Sequence, residues 1–214
     1  MSGAAPRERS PGAVPTSEVA ALVLAAGQGT RFGAEPKLLA QLRGKPLVRW
    51  VAEAALGSRA RPVIVVTGHR AAEVERTLAD LAVAIVHNPA YADGLSTSLK
   101  TGFRALPPQA EAAVVLLGDM PLVGPSLIER LMAAWREGGR PTALVPVTAG
   151  RRSNPVVLSR RLAPEIMALD GDRGAAPLLR GRSDVVELPI EDAALLHDVD
   201  TREALGRLDR PAPG

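Results

Sequence analysis

Short apolar runs alternate with helix-period segments along the chain. The runs are Val19–Ala26, Pro62–Thr67, Val83–Val86, Ala112–Leu117 and Thr142–Val147. None alternates apolar with polar residues, the signature of strands buried on both faces of a parallel sheet. Between them, Val74, Leu78 and Leu81 share one helical face, as do Leu99, Phe103 and Leu106, and Ile128, Leu131 and Trp135. Each stripe reads as the core side of a helix. Ser126 followed by Glu129 reads as a capping box, with a helix starting just after Pro125. The β-α repeat from Val19 to Val147 predicts a doubly wound, mostly parallel α/β sheet of Rossmann-like form. The last third is less regular, with strands expected at 156–159 and 185–188. Helices are expected at 162–169 and 175–179, and a terminal helix at 201–208 is capped by Thr201.

Composition narrows the picture. The first 18 residues are Ser-, Pro-, Gly-, Ala-, Arg- and Glu-rich without an apolar stretch, so residues 1–18 read as a disordered tail, as do 210–214. That leaves one domain over 19–209, a size that supports its own core. No cysteine is present, which excludes disulfides, thiolate metal sites and a cysteine nucleophile, and fits a cytoplasmic setting. Aromatic residues are limited to Phe32, Phe103, Trp50, Trp135 and Tyr91, too few for base-stacking platforms along a nucleic acid strand. The net charge is +3 with no basic block, and no apolar run is long enough to span a bilayer. Neither nucleic acid nor membrane is expected as a partner. Lysine is rare (Lys37, Lys45 and Lys100), so its place in a candidate loop carries weight.

That loop follows the first strand: Leu24-Ala25-Ala26-Gly27-Gln28-Gly29-Thr30-Arg31-Phe32-Gly33, then Pro36-Lys37. Ligands of open α/β sheets bind at the carboxyl ends of strands. Glycines there let backbone N–H groups approach phosphate oxygens, and Arg31 and Lys37 supply countercharge. It is no P-loop, since no Lys-Ser or Lys-Thr pair follows Gly33. Nor is it a dinucleotide fingerprint, since Phe32 stands at the third glycine position and Thr67-Gly68-His69 replaces the ribose-binding acid. Asp119, in Gly118-Asp119-Met120-Pro121, ends the fourth run. With strand order 3-2-1-4 it faces the same crevice, where a hard carboxylate suits Mg²⁺ and substrate phosphates.

The pattern L-A-A-G-Q-G-T-R-F-G with P-K-L-L resembles the signature of nucleotidyltransferases with a glycosyltransferase-A-like fold. The MobA/MocA-like branch, which acts on the molybdenum cofactor, is the nearest. The resemblance spans roughly residues 19–208. It implies that Leu24, Ala25, Ala26, Gly27, Gly29 and Lys37 bind a nucleoside triphosphate, with Arg31, Lys37 and Asp119 catalytic. It implies that the G-D-M-P aspartate, Asp119, binds magnesium. By the same token, Asp200 in Asp198-Val199-Asp200-Thr201 completes the metal site, with Asp198 a weaker candidate. Gly94, Ser96 and Ser98 of G-L-S-T-S-L would contact the base, although Ser96 or Thr97 also serves as a helix cap. Asn154, Asp172 and Arg173 would face the acceptor. Relatives often carry G-H-P where this chain has Ser153-Asn154-Pro155, and Ala26 leans toward the cytidylyl branch.

The expectation is therefore transfer of CMP from CTP to molybdopterin with Mg²⁺ and release of pyrophosphate. A molybdenum hydroxylase or its maturation factor is the expected protein partner. GTP- and sugar-phosphate-directed transferases, a nicotinamide-dependent oxidoreductase and a non-catalytic nucleotide-binding partner are the alternatives. Histidines 69, 87 and 197 are scattered and form no zinc motif.

Overall fold

A computed structural model of the chain describes residues 17–29, 32, 36–192, 199 and 201–209. In chain order the strands are β1 (Val19–Ala25), β2 (Gln41–Leu42), β3 (Lys45–Pro46), β4 (Val63–Thr67), β5 (Ala84–His87), β6 (Ala112–Leu117), β7 (Ala143–Thr148), β8 (Arg151–Arg152), β9 (Val156–Ser159) and β10 (Val185–Pro189). The helices are α1 (Leu47–Gly57), α2 (Ala71–Leu78), α3 (Leu95–Ala105), α4 (Pro125–Glu137), α5 (Ala163–Met167) and α6 (Arg202–Asp209). The main sheet runs β10-β7-β9-β6-β1-β4-β5, with β8 paired to β7.

The first four apolar runs stand as β5-β4-β1-β6, all parallel, which is the order 3-2-1-4. The fifth run, β7, does not lie beside β6. β9 separates them and is antiparallel to both. The short connection from β7 to β9 explains this, because an antiparallel return needs only a turn while a parallel neighbour needs a crossover of a dozen residues or more. The fold is thus α/β with a mostly parallel sheet.

Continuous apolar runs arise because both faces are covered. Val19, Ala21, Val23 and Ala25 of β1 face one core with α1, α2 and α4. Ala20, Leu22 and Leu24 face the other with α3 and α5. Helix α3 approaches closely at Gly102, where a Cβ would lie 2.3 Å from Leu22 Cδ1. A third cluster joins Phe32, Leu42, Leu47 and Val199 with Leu205 and Leu208 of α6.

Local expectations need correction in several places. Helix α4 starts at Pro125 itself, with Gly124 at the N-cap and no side-chain cap. Proline presets the first-turn φ and lacks the N–H that a cap would serve. Glu129 turns instead to Arg59, accepting from its backbone N–H and from Nε at 2.8 Å. Helix α3 starts at Leu95, so Ser96 and Thr97 lie inside its first turn and do not cap it. The predicted helix at 175–179 is a 3-10 turn over Ala176–Leu179. Ser17 and Glu18, expected in the tail, are tied to the fold. Ser17 N–H donates to the Arg61 carbonyl, and Glu18 pairs with Arg136 and Arg140. The Thr201 cap is present, accepting from Ala204 N–H at 3.1 Å.

Candidate functional site

A cavity of about 390 Å³ opens at the carboxyl ends of β1 and β6. Leu24, Ala26, Gly27 and Gly29 line one side of it. Ala25 is fully buried in β1, and its Cβ lies 3.4 Å from where a Cβ on Gly118 would stand, so it supports the site from beneath. Gly29 has φ +60°, and a Cβ there would come within 2.7 Å of Lys37 Cβ. Glycine therefore lets Lys37 pass directly against the loop. Lys37 is only 8% exposed and opens a 3-10 turn, Lys37–Leu39. Its Nζ lies 2.6 Å from Asp119 Oδ2.

Asp119 reaches the cavity because Gly118 N–H continues the β1–β6 ladder to the Leu24 carbonyl at 3.0 Å. Its Oδ1 is buried and has no hydrogen-bond partner among the described residues. An unpartnered, hard carboxylate oxygen on a residue that lines this cavity fits a divalent cation of the Mg²⁺ or Mn²⁺ class. Among the described residues, no group of three or more His, Cys, Asp or Glu gathers here. Arg31, Asp198 and Asp200 lie outside the described residues. Val199, the residue between the two aspartates, is fully buried and donates its N–H to the Asp119 carbonyl at 3.1 Å. The third hydrophobic cluster anchors Val199 beside Phe32 of the glycine loop.

Gly94, Leu95 and Ser98 form another side of the cavity. Gly94 has φ +110°, and a Cβ there would stand 2.6 Å from the Gly171 carbonyl carbon. The close approach brings Asp172 to the start of α3, where Oδ1 accepts from Leu95 N–H at 3.1 Å. Ser98 accepts from Asn88 Nδ2 at 3.1 Å, while Ser96 Oγ is buried without a partner among the described residues and lines neither cavity described here. Asn88, which no sequence motif marks, is 1% exposed and also donates to Thr97 Oγ1 at 2.9 Å. Tyr91, the one tyrosine in the chain and likewise unmarked by any motif, lines the cavity. Gly68 makes room for it, since a Cβ there would lie 2.6 Å from Tyr91 Cβ. His69 flanks its ring at 5.9 Å between centroids. The available signal was an aromatic in a chain nearly devoid of them, just ahead of the G-L-S-T-S-L segment.

Of the expected acceptor residues, Asp172 lines this first cavity, while Asn154 and Arg173 line a second of about 320 Å³. No helix among the described residues is long and apolar enough to cross a membrane.

Comparison with known proteins agrees with this architecture. Residues 21–187 match the family model described as MobA-like NTP transferase domain. The chain is 32% identical over 196 residues to a nicotine blue oxidoreductase of Paenarthrobacter nicotinovorans, covering 89% of this chain and 96% of that protein. It is 32% identical over 162 residues to the bifunctional protein GlmU of Syntrophotalea carbinolica, covering 74% of this chain but only 34% of that longer protein. The crystal structure of Rv0371c from Mycobacterium tuberculosis H37Rv superposes with a TM-score of 0.78 at 27% identity, over 91% of this chain and 98% of that one. Rv0371c has also been solved as a manganese complex. With the family match covering most of the sheet and the glycine loop, the chain belongs to the MobA-like NTP transferase family and is a nucleotidyltransferase.

Proposed function

We propose that this chain transfers the nucleoside monophosphate of a nucleoside triphosphate, CTP by preference, to a phosphorylated small molecule of the molybdopterin type. The observation that carries this reading is the Lys37–Asp119 pair beneath the glycine loop, with Asp119 Oδ1 left open. The N–H groups of Gly27 to Gly29 would receive the triphosphate oxygens, and Lys37 would neutralise them. Asp119 would hold a divalent cation, with Asp200 as second ligand. In support, Val199, next in sequence to Asp200, is bonded to Asp119, and the related Rv0371c binds manganese. Such a cation, when bound, neutralises charge on the phosphates. An acceptor phosphate oxygen attacks the α-phosphorus, a new P–O bond forms, the bond to the bridging oxygen breaks, and pyrophosphate leaves. The attacking phosphate is already anionic, so no general base is needed. The protein contributes positioning and charge stabilisation. Ser98 and Tyr91 would hold the base, and Asn154, Asp172 and Arg173 the acceptor side.

The name of the Paenarthrobacter relative favours a second reading, redox chemistry with a nicotinamide nucleotide. Against it, β4 ends in Thr67-Gly68-His69 with no acid for a ribose, and Thr67 Oγ1 is bonded to Glu75 at 3.0 Å. One assay separates the two: pyrophosphate release with each triphosphate, with and without molybdopterin, alongside NADPH oxidation. Pyrophosphate release that needs acceptor and metal is expected. NADPH oxidation without pyrophosphate would overturn the proposal.

A further inference from the structure

Asn88 stands just past β5, on the way to α3, and its buried side chain is fully paired. Its backbone N–H donates to the Thr67 carbonyl at 2.8 Å, which continues the pairing of β5 with β4. Its side-chain oxygen accepts from Ala90 N–H at 3.1 Å. That bond fixes the orientation of the amide, because a backbone N–H needs an acceptor opposite it. Nδ2 therefore faces the other way and donates to Thr97 Oγ1 at 2.9 Å and to Ser98 Oγ at 3.1 Å. Thr97 is able to accept, since its own hydroxyl hydrogen is directed at the Ala90 and Gly94 carbonyls, 2.9 and 2.8 Å away.

Ser98 differs from Thr97 in one respect. Its oxygen accepts from Asn88, but its own hydrogen meets no acceptor among the described residues. The residue is 4% exposed and lines the first cavity with Tyr91 and Gly94, while Gly27, Gly29 and Lys37 line another side. A ligand that covers this hydroxyl takes away its water, and an unpaired donor is then costly unless the ligand supplies an acceptor. We propose that Asn88 is a positioning residue for nucleotide selection: by donating to Ser98 it leaves the serine hydrogen for the cavity, so that the bound base must present a carbonyl oxygen or an unprotonated ring nitrogen to Ser98. This rests on the nucleotidyltransferase reading above and adds the direction of the hydrogen bond. In cytosine the two such atoms are O2 and N3, adjacent on one edge. A base that turns an amino group or ring N–H to Ser98 leaves two donors facing each other.

The test is calorimetric titration of the full chain, with Mg²⁺, by CTP and two analogues: 3-deaza-CTP, which lacks the N3 acceptor, and 2-thio-CTP, which weakens the O2 acceptor. One of the analogues should bind about three- to tenfold more weakly than CTP, the scale of one neutral hydrogen bond. That difference should vanish in Ser98→Ala. Asn88→Asp keeps the shape and the bond from Ala90 N–H, but its carboxylate accepts where the amide donated. It draws the serine hydrogen away from the cavity, so CTP should bind about three- to tenfold more weakly. Added to Ser98→Ala, it should cost less than about twofold more, whereas a merely structural asparagine would add its own full loss. Should Asn88→Asp melt well below wild type, Asn88→Ala, which buries no charge, should give the same non-additive pattern. Two analogues that bind like CTP, or additive losses in the double variant, would each overturn the inference. A chain that binds no CTP loses the proposed substrate and this inference together. One that releases pyrophosphate from CTP yet shows either overturning result loses the inference alone.

Discussion

Asp119 is the residue on which the chemistry turns, because one of its oxygens is committed to Lys37 and the other is buried and open. Asp119→Asn keeps the shape and removes the charge. Steady-state assays of this variant should show turnover reduced by about 10²–10³, the scale of losing one well-placed electrostatic group. Its melting temperature should stay close to wild type, and near-normal activity would remove Asp119 from the proposed metal site. Tyr91 offers a second test at this scale. If its ring stacks on the base, Tyr91→Ala should weaken triphosphate binding by ~1–3 kcal/mol, read as a raised KM with kcat less affected. Tyr91→Phe, which keeps the ring, should behave as wild type.

Elements position these residues through contacts that only glycine permits. Gly94 joins α3 to the 3-10 turn Gly171–Arg173, whose Asp172 accepts from Leu95 N–H and lines the first cavity. Gly94→Ala places a Cβ 2.6 Å from backbone at a φ of +110°. That combination forces the two segments apart, with strain of order 1–3 kcal/mol. The expected outcome is lost transfer activity and a lowered melting temperature together. A Gly94→Ala protein with both intact would mean that the contact does not organise the site. Hydrogen exchange would localise the change to the start of α3 and to 171–174.

For the whole molecule, stability depends on the two cores and on ion pairs that clasp the helices. Trp135 is 1% exposed and its indole donates to the Pro141 carbonyl at 2.9 Å. Trp135→Ala should cost ~3–5 kcal/mol, measured by denaturant unfolding. Helix α1 is tied to Asp80, just past α2, where the two guanidinium nitrogens of Arg49 reach its carboxylate at 2.6 Å each. The hydrogen bonds from Arg49 hold the Asp80 carboxyl down to about 2 from its ordinary 3.8. A depressed acid contributes stability above its unfolded pKa and loses it as pH falls through the folded value. The Asp80 contribution should therefore be complete above about pH 5 and fade toward pH 2. Asp80→Asn should flatten that part of the acid-unfolding profile, and salt should shrink the difference because the carboxylate is 66% exposed. Unaided, the sequence carried the alternation of buried runs and helical stripes, and with it a mostly parallel sheet, because short-range hydrophobic periodicity encodes which faces are covered. The glycine loop and Asp119 were legible for the same local reason, as each ends a buried strand. The antiparallel place of β9, the start of α3 at Leu95 with Asp172 at its first N–H, the support from Asn88 and the contact of Val199 with Asp119 were decided by tertiary structure. Those pairings join residues far apart in the chain. Their partners are chosen by packing and by satisfaction of buried polar groups, which no local pattern of residues contains.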